Sequence, residues 1–220
     1  MTQTFGQAEP FGSSSAGPAV TDLSGEAHVV AARVPVETEA ERKAVAWIEP
    51  YDQAWHLIRA RDWLVHIDPG ASLEMRLAAV THDIERMFPG GPSIDKATCR
   101  WDDPDYLYAH ASRSADVVEK WLAEQGSVGR EVDVAEVRRL ITLHEFGGLD
   151  GADQVQAGDS LSFLETLREI VRRWVTSGEC SVAQARAKHQ YMADRVRLPE
   201  AARLGEPLLE GALASLDDLE

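Results

Sequence analysis

Residues 72–87 read SLEMRLAAVTHDIERM. Leu73, Leu77, Val80 and Ile84 recur at spacings of three and four, the period of one helix face. Ser72 stands where an N-cap belongs, and Pro89, Gly90, Gly91 and Pro92 close the pattern. The spacing predicts a helix over 72–87 with His82 and Asp83 in its last turns. The same period continues in both directions. Upstream, residues 37–48 are rich in Glu, Ala, Arg and Lys, Pro50 interrupts, and 51–67 carry Trp55, Ile58, Trp63, Leu64 and Ile67 before the break at Pro69 and Gly70. Downstream, 88–103 read as a loop, and Pro104 opens a helix to about Gln125. Asp133 caps one holding Val134, Val137, Ile141 and His144, and a long helix follows over 152–175. Helices over 181–196 and 199–215 finish the chain. With no β-rich section, the expected class is all-α.

Residues 1–36 are rich in Gly, Ser, Thr, Pro and Ala without sustained periodicity, so they are expected to form a flexible arm ahead of a helical domain over 37–220. A short run at 27–34, closed by Pro35, could dock as an extended piece. The chain has 220 residues, 44% of them hydrophobic, enough to bury a core. Its 22 Lys and Arg against 37 Asp and Glu give a net charge of −15, which repels polyanions and argues against polymeric nucleic acid or an anionic membrane as partner. A small anionic substrate stays compatible, because a metal centre is locally positive inside an acidic protein. The two cysteines, Cys99 and Cys180, sit in no metal-binding spacing, and no basic-then-apolar leader or bilayer-length apolar run occurs. A cytoplasmic location is the expectation.

The chemistry lies in an inventory of nitrogen and oxygen ligands. His82 and Asp83 are adjacent, His56 precedes them, and His110, His144 and Asp159 follow, each in a segment that reads as helix. One histidine on an apolar helix face is ordinarily a core residue donating to a backbone carbonyl. Four on four helices, accompanied by two inward-facing carboxylates that would each cost several kcal/mol to bury unpaired, point instead to a shared cation. Such a set suits iron, manganese, cobalt or zinc without any thiolate.

The order His56, then His82 and Asp83, then His110, His144 and Asp159 resembles the HD-domain superfamily of metal-dependent phosphohydrolases over about residues 51–175. The resemblance implies a helical bundle in which His56, His82, Asp83 and Asp159 bind one divalent metal ion. It also implies that His110 and His144 hold a second ion, with Asp83 bridging. Two such ions would turn water into a metal-bound hydroxide near neutral pH and stabilise charge on a phosphoryl group. The leading expectation is therefore hydrolysis of a phosphate ester of a small molecule, such as a nucleotide.

Under that reading Asp83, Arg86 and Arg113 are the catalytic candidates, the two arginines each standing one turn after a ligand as phosphate clamps. Arg59, three residues after His56, and Lys188 with Arg195, seven apart, are candidate substrate contacts. Glu85 and Glu145 adjoin ligands, as orienting acceptors, as a general acid, or as surface partners of arginines. His28 and His66 fit no ligand pattern, and His189 is a candidate surface residue or substrate contact. Some members of the superfamily with six ligands are diiron oxygenases that use dioxygen on a small organic substrate. Those place a lysine near the metals, whereas here Arg86 stands three after Asp83, which favours hydrolysis. A third reading is a regulatory module whose metals are structural.

Overall fold

A computed structural model describes residues 31–93 and 100–219. Among them there is no strand, and ten α-helices follow one another: α1 Glu39–Ile48, α2 Ala54–Ile67, α3 Leu73–Thr81, α4 Pro104–Ala123, α5 Ser127–Arg130, α6 Val134–Leu143, α7 Ala152–Thr166, α8 Arg168–Thr176, α9 Val182–Asp194 and α10 Pro199–Ala214. The fold is all-α. No helix among the described residues is long and apolar enough to cross a membrane.

Side-chain caps fix several helix starts. Thr38 and Glu41 form a reciprocal capping box at α1, Ser181 and Gln184 do the same at α9, and Ser72, Asp103 and Asp133 cap α3, α4 and α6. Two boundaries depart from the periodic reading. The helix expected over 72–87 ends at Thr81, and a 3-10 turn over Ile84–Met87 replaces its last part. His82 is therefore the C-cap of α3, and Asp83 lies at φ −102° and ψ 9°. The helix expected over 152–175 breaks at Leu167, which is both the C-cap of α7 and the N-cap of α8, at φ −100° and ψ 9°. No glycine or proline marks that break, so the apolar period runs through it.

Two apolar clusters fill the interior. One gathers Ile48, Leu77, Val80, Leu122, Leu140 and Ile141 from α1, α3, α4 and α6, and the other gathers Leu161, Leu164, Val171, Met192 and Leu208 from α7 to α10. Helices α2 and α7 contribute to both and form the most extensive helix pair. Gly158 permits this crossing: a Cβ there would stand 2.6 Å from the carbonyl oxygen of Ala60. The contact brings His56 on α2 beside Asp159 on α7.

The end of the N-terminal arm is docked. Residues 31–36, outside any helix or strand, lie against α2, held by buried charges that the sequence showed only as isolated residues. Arg61 donates to the carbonyls of Val34 and Pro35, Arg59 donates to that of Ala31, and Asp62 accepts from the Val34 amide and Arg33. Residues 1–30, including His28 and the first half of the expected extended run, lie outside the described part, as does Cys99.

Candidate metal centre

Six side chains from six elements meet between the two cores. His56 comes from α2, His82 and Asp83 from the α3 end and the 3-10 turn, His110 from α4, His144 from the C-cap of α6, and Asp159 from α7. All four histidines are buried, and both aspartates are nearly so. Three overlapping sets, His56 with His82 and Asp83, His82 with His144 and Asp159, and Asp83 with His110 and His144, each place their ligand atoms within 4.8 Å of one another. Every ligand candidate from the sequence belongs to at least one of these sets.

The outer nitrogens fix how the rings present themselves. His82 Nδ1 lies 2.9 Å from the Ala79 carbonyl and His144 Nδ1 lies 2.6 Å from that of Ile141, so both are the protonated nitrogens. The Ser162 hydroxyl donates to the His56 carbonyl at 2.7 Å, which leaves its oxygen to accept from His56 Nδ1 at 2.9 Å. Each ring therefore turns Nε2 inward. His144 Nε2 is buried without a hydrogen-bond partner, an expense of roughly 1–3 kcal/mol unless something binds it, and His82 Nε2 is buried with only the Asp159 and Asp83 carboxylates near it. Two ligands about 2.1 Å from a common ion stand about 3.0–3.4 Å apart. Asp159 Oδ1 lies 3.2 Å from His56 Nε2 and 3.3 Å from His82 Nε2, which fits that spacing.

Electrostatics gives the same result. Burial alone would lower the pKa of His82, but the Asp159 and Asp83 carboxylates override it and raise the ring to about 9. His110 is also raised against burial, because it lies between Asp83 Oδ1 at 2.7 Å and Glu85 Oε1 at 2.9 Å. His144 goes the other way, to about 4, through burial and the neighbouring His82 and His110. Both aspartates lie well below the usual carboxylate range despite burial, Asp83 through Arg86 and His110 and Asp159 through Arg195 and His82. The cluster thus draws positive charge to its centre, where a cation would replace the protons on His82 and His110. These residues can hold a metal ion.

Arginines tie down the outward oxygens. Arg86 donates to Asp83 Oδ2 at 3.0 Å and to the Tyr106 hydroxyl at 3.1 Å. Arg195 bonds Asp159 Oδ2 and Glu145 Oε2, and reaches the Ser160 hydroxyl at 2.8 Å. Each aspartate therefore presents Oδ1 to the histidines. A cavity of about 360 Å³ opens beside the cluster, with His56, Asp83, Asp159, Arg86, Glu145 and Lys188 among its walls. Lys188 stands 5.3 Å over the Phe163 ring, and burial together with Arg195 lowers its pKa to about 8.

Other expected contacts lie elsewhere. Arg59, expected as a substrate contact, does not line the cavity: it is buried against Glu165, Asp62 and the Ala31 carbonyl, and so ties the arm to α2. Arg113, expected as a phosphate clamp, does not line the cavity either. Its guanidinium bonds the carbonyls of Pro89 and Gly90 and pairs with Glu85 at 3.3 Å, which supports the acceptor of His110 from behind. Glu85 and Glu145 are buried beside ligands, not surface partners. His189 is neither exposed nor on the cavity wall but fully enclosed. His66 packs edge-on against Trp63.

The sequence reading missed Ser162, Tyr106 and Tyr51. A signal existed for Ser162, since α7 carries polar residues among apolar ones on every side and is buried along most of its length. A helix of that kind spends its polar groups on internal partners. Tyr51, buried with no hydrogen-bond partner, has its hydroxyl pKa raised by burial and by Asp83. Comparison with protein-family models, with curated proteins and with solved structures gives no match.

Proposed function

We propose that this chain is an HD-type metal-dependent phosphohydrolase that cleaves a phosphate ester of a small molecule with two divalent metal ions. The observation that carries the reading is the convergence of four inward Nε2 atoms and two carboxylate oxygens, one of those nitrogens without a hydrogen-bond partner, beside a cavity walled by Arg86 and Lys188. Bound ions would supply an activated water and Lewis acidity toward the phosphoryl oxygens. The chain's own groups do the rest. Ser162, Glu85 and the carbonyls of Ala79 and Ile141 fix ring orientation, work whose loss costs about 10–100-fold in metal affinity or activity. Arg86 and Lys188 offer cationic contacts to the ester's free oxygens from the cavity wall. Arg195 holds Asp159 so that a single oxygen faces the centre.

The test is metal analysis of the purified protein together with release of phosphate from p-nitrophenyl phosphate. His82→Ala and Asp83→Ala should lose bound metal and activity together, and His110→Ala and His144→Ala should lower the metal stoichiometry. Full phosphate release in Asp83→Ala would sink the hydrolytic reading. Unchanged stoichiometry in the His110 and His144 variants would sink the two-ion version alone.

One observation favours a second reading, a diiron oxygenase. The resemblance associates that activity with a lysine near the metals, and although the neighbourhood of Asp83 offers none, α9 brings Lys188 to the cavity. Dioxygen uptake by protein loaded with reduced iron, driven by an unphosphorylated substrate and without phosphate release, would select this reading over the first.

A further inference from the structure

The cavity extends well past the metal cluster, and its walls change character as it does. Asp159 and Phe163 on α7 and Leu167 at its C-cap line it at successive intervals of four residues, so that wall runs about 12 Å along the helix, at roughly 1.5 Å per residue. Only its first residue is charged. On α9, Ala185 and Met192 flank Lys188 at spacings of three and four on the same face, and Trp174 comes from α8. Beyond the Lys188 amine, which sits over the Phe163 ring, the side chains from these three helices are apolar except Gln184, whose side-chain oxygen is taken up by Ser181 at the start of α9. Glu179 also lines the cavity, and its amide bonds the Trp174 carbonyl at 2.8 Å. A second phosphate near Trp174 would meet that carboxylate.

We infer that the substrate is a phosphomonoester of an apolar alcohol, alkyl or aryl, with its phosphate at the His and Asp cluster and its apolar group along Phe163, Leu167, Trp174 and Met192. This rests on the hydrolytic reading for the phosphate end. The apolar end rests on the cavity alone. A sugar phosphate would leave its hydroxyls without partners against these side chains, and a diphosphate would bring charge to Glu179.

The experiment is a titration of the metal-loaded protein with alkylphosphonates from methyl to octyl, which bind without turnover, followed by tryptophan fluorescence or calorimetry. Affinity should rise about fourfold for each added methylene until the chain spans the cavity. Trp174→Gln should flatten that rise and keep its bound metal. A series that shows no dependence on chain length, or no binding, overturns the proposal, as does an unchanged slope in Trp174→Gln. If that variant does not fold, the wild-type slope decides alone. Should the series bind as expected while phosphomonoesters are not hydrolysed, the apolar pocket stands and the hydrolytic reading falls.

Discussion

Replacing His189 with leucine should make the protein more stable, and more so in acid. The ring is fully buried on α9, packs edge-on against Phe163 at 5.7 Å, and neither nitrogen has a partner. Burial, with the cations of Arg168 on α8 and Lys188 beside it, lowers the ring's pKa from 6.5 to about 4. The folded protein therefore keeps His189 neutral, whereas the unfolded chain takes up a proton below pH 6.5. Stability from this residue is complete above 6.5, falls as pH drops, and levels off below about 4. The difference of about 2.5 pKa units corresponds to roughly 3.4 kcal/mol at the limit, of which about 2.5 kcal/mol is lost by pH 4.5. At pH 7.5 leucine removes a polar ring whose unpaired burial costs about 1–3 kcal/mol. Urea unfolding of both metal-free proteins at pH 7.5 and pH 4.5 measures both effects, and acid losses from carboxylates are common to the two. Leucine should lead at pH 7.5 and widen that lead by about 2.5 kcal/mol at pH 4.5. A constant gap, or a leucine variant weaker at neutral pH, would refute the reasoning.

Three other outcomes follow from the same geometry. A divalent ion at about a hundred times its dissociation constant should add about 2.7 kcal/mol, raising Tm by roughly 5–10 °C, and a chelator should reverse this in scanning calorimetry. Arg195→Gln removes the shared partner of buried Asp159 and Glu145. The metal-free variant should lose about 3–5 kcal/mol in urea unfolding, and much less when loaded, since the ion then neutralises Asp159. Asp62→Ala strips Arg33, Arg59 and Arg61 of a carboxylate and the Val34 amide of its acceptor. A loss of about 3–5 kcal/mol and faster proteolytic cleavage within residues 31–38 are expected, and unchanged cleavage would show that the arm is held by other contacts.

The fold class was legible because the apolar stripes obey the helix period, and the six ligand candidates because imidazole and carboxylate at buried helix positions need a reason to be there. What escaped depends on packing between distant segments. Leu167 breaks a helix with no local breaker, since the break serves the cavity wall and the approach of α8 to α9. Arg59 and Arg113 stand one turn after ligands, but partners from residue 31, residue 165 and the 88–90 turn claim their charges. Lys188, named from the sequence only by its spacing to Arg195, reaches the cavity from a helix with no ligand of its own, a proximity that spacing along the chain to Asp83 does not show.

The backbone contact at Gly158 has a consequence for cation choice. A ligand carried on a long side chain can swing to suit an ion of another radius, at a cost below that of moving a helix. His56 and Asp159 have little such freedom, because the main chains that carry them touch where Gly158 meets the Ala60 carbonyl. Their spacing is thus set by the crossing and not by the side chains, and any ion shared by the two has to fit it. Alanine at 158 would prise the two helices apart and change that separation.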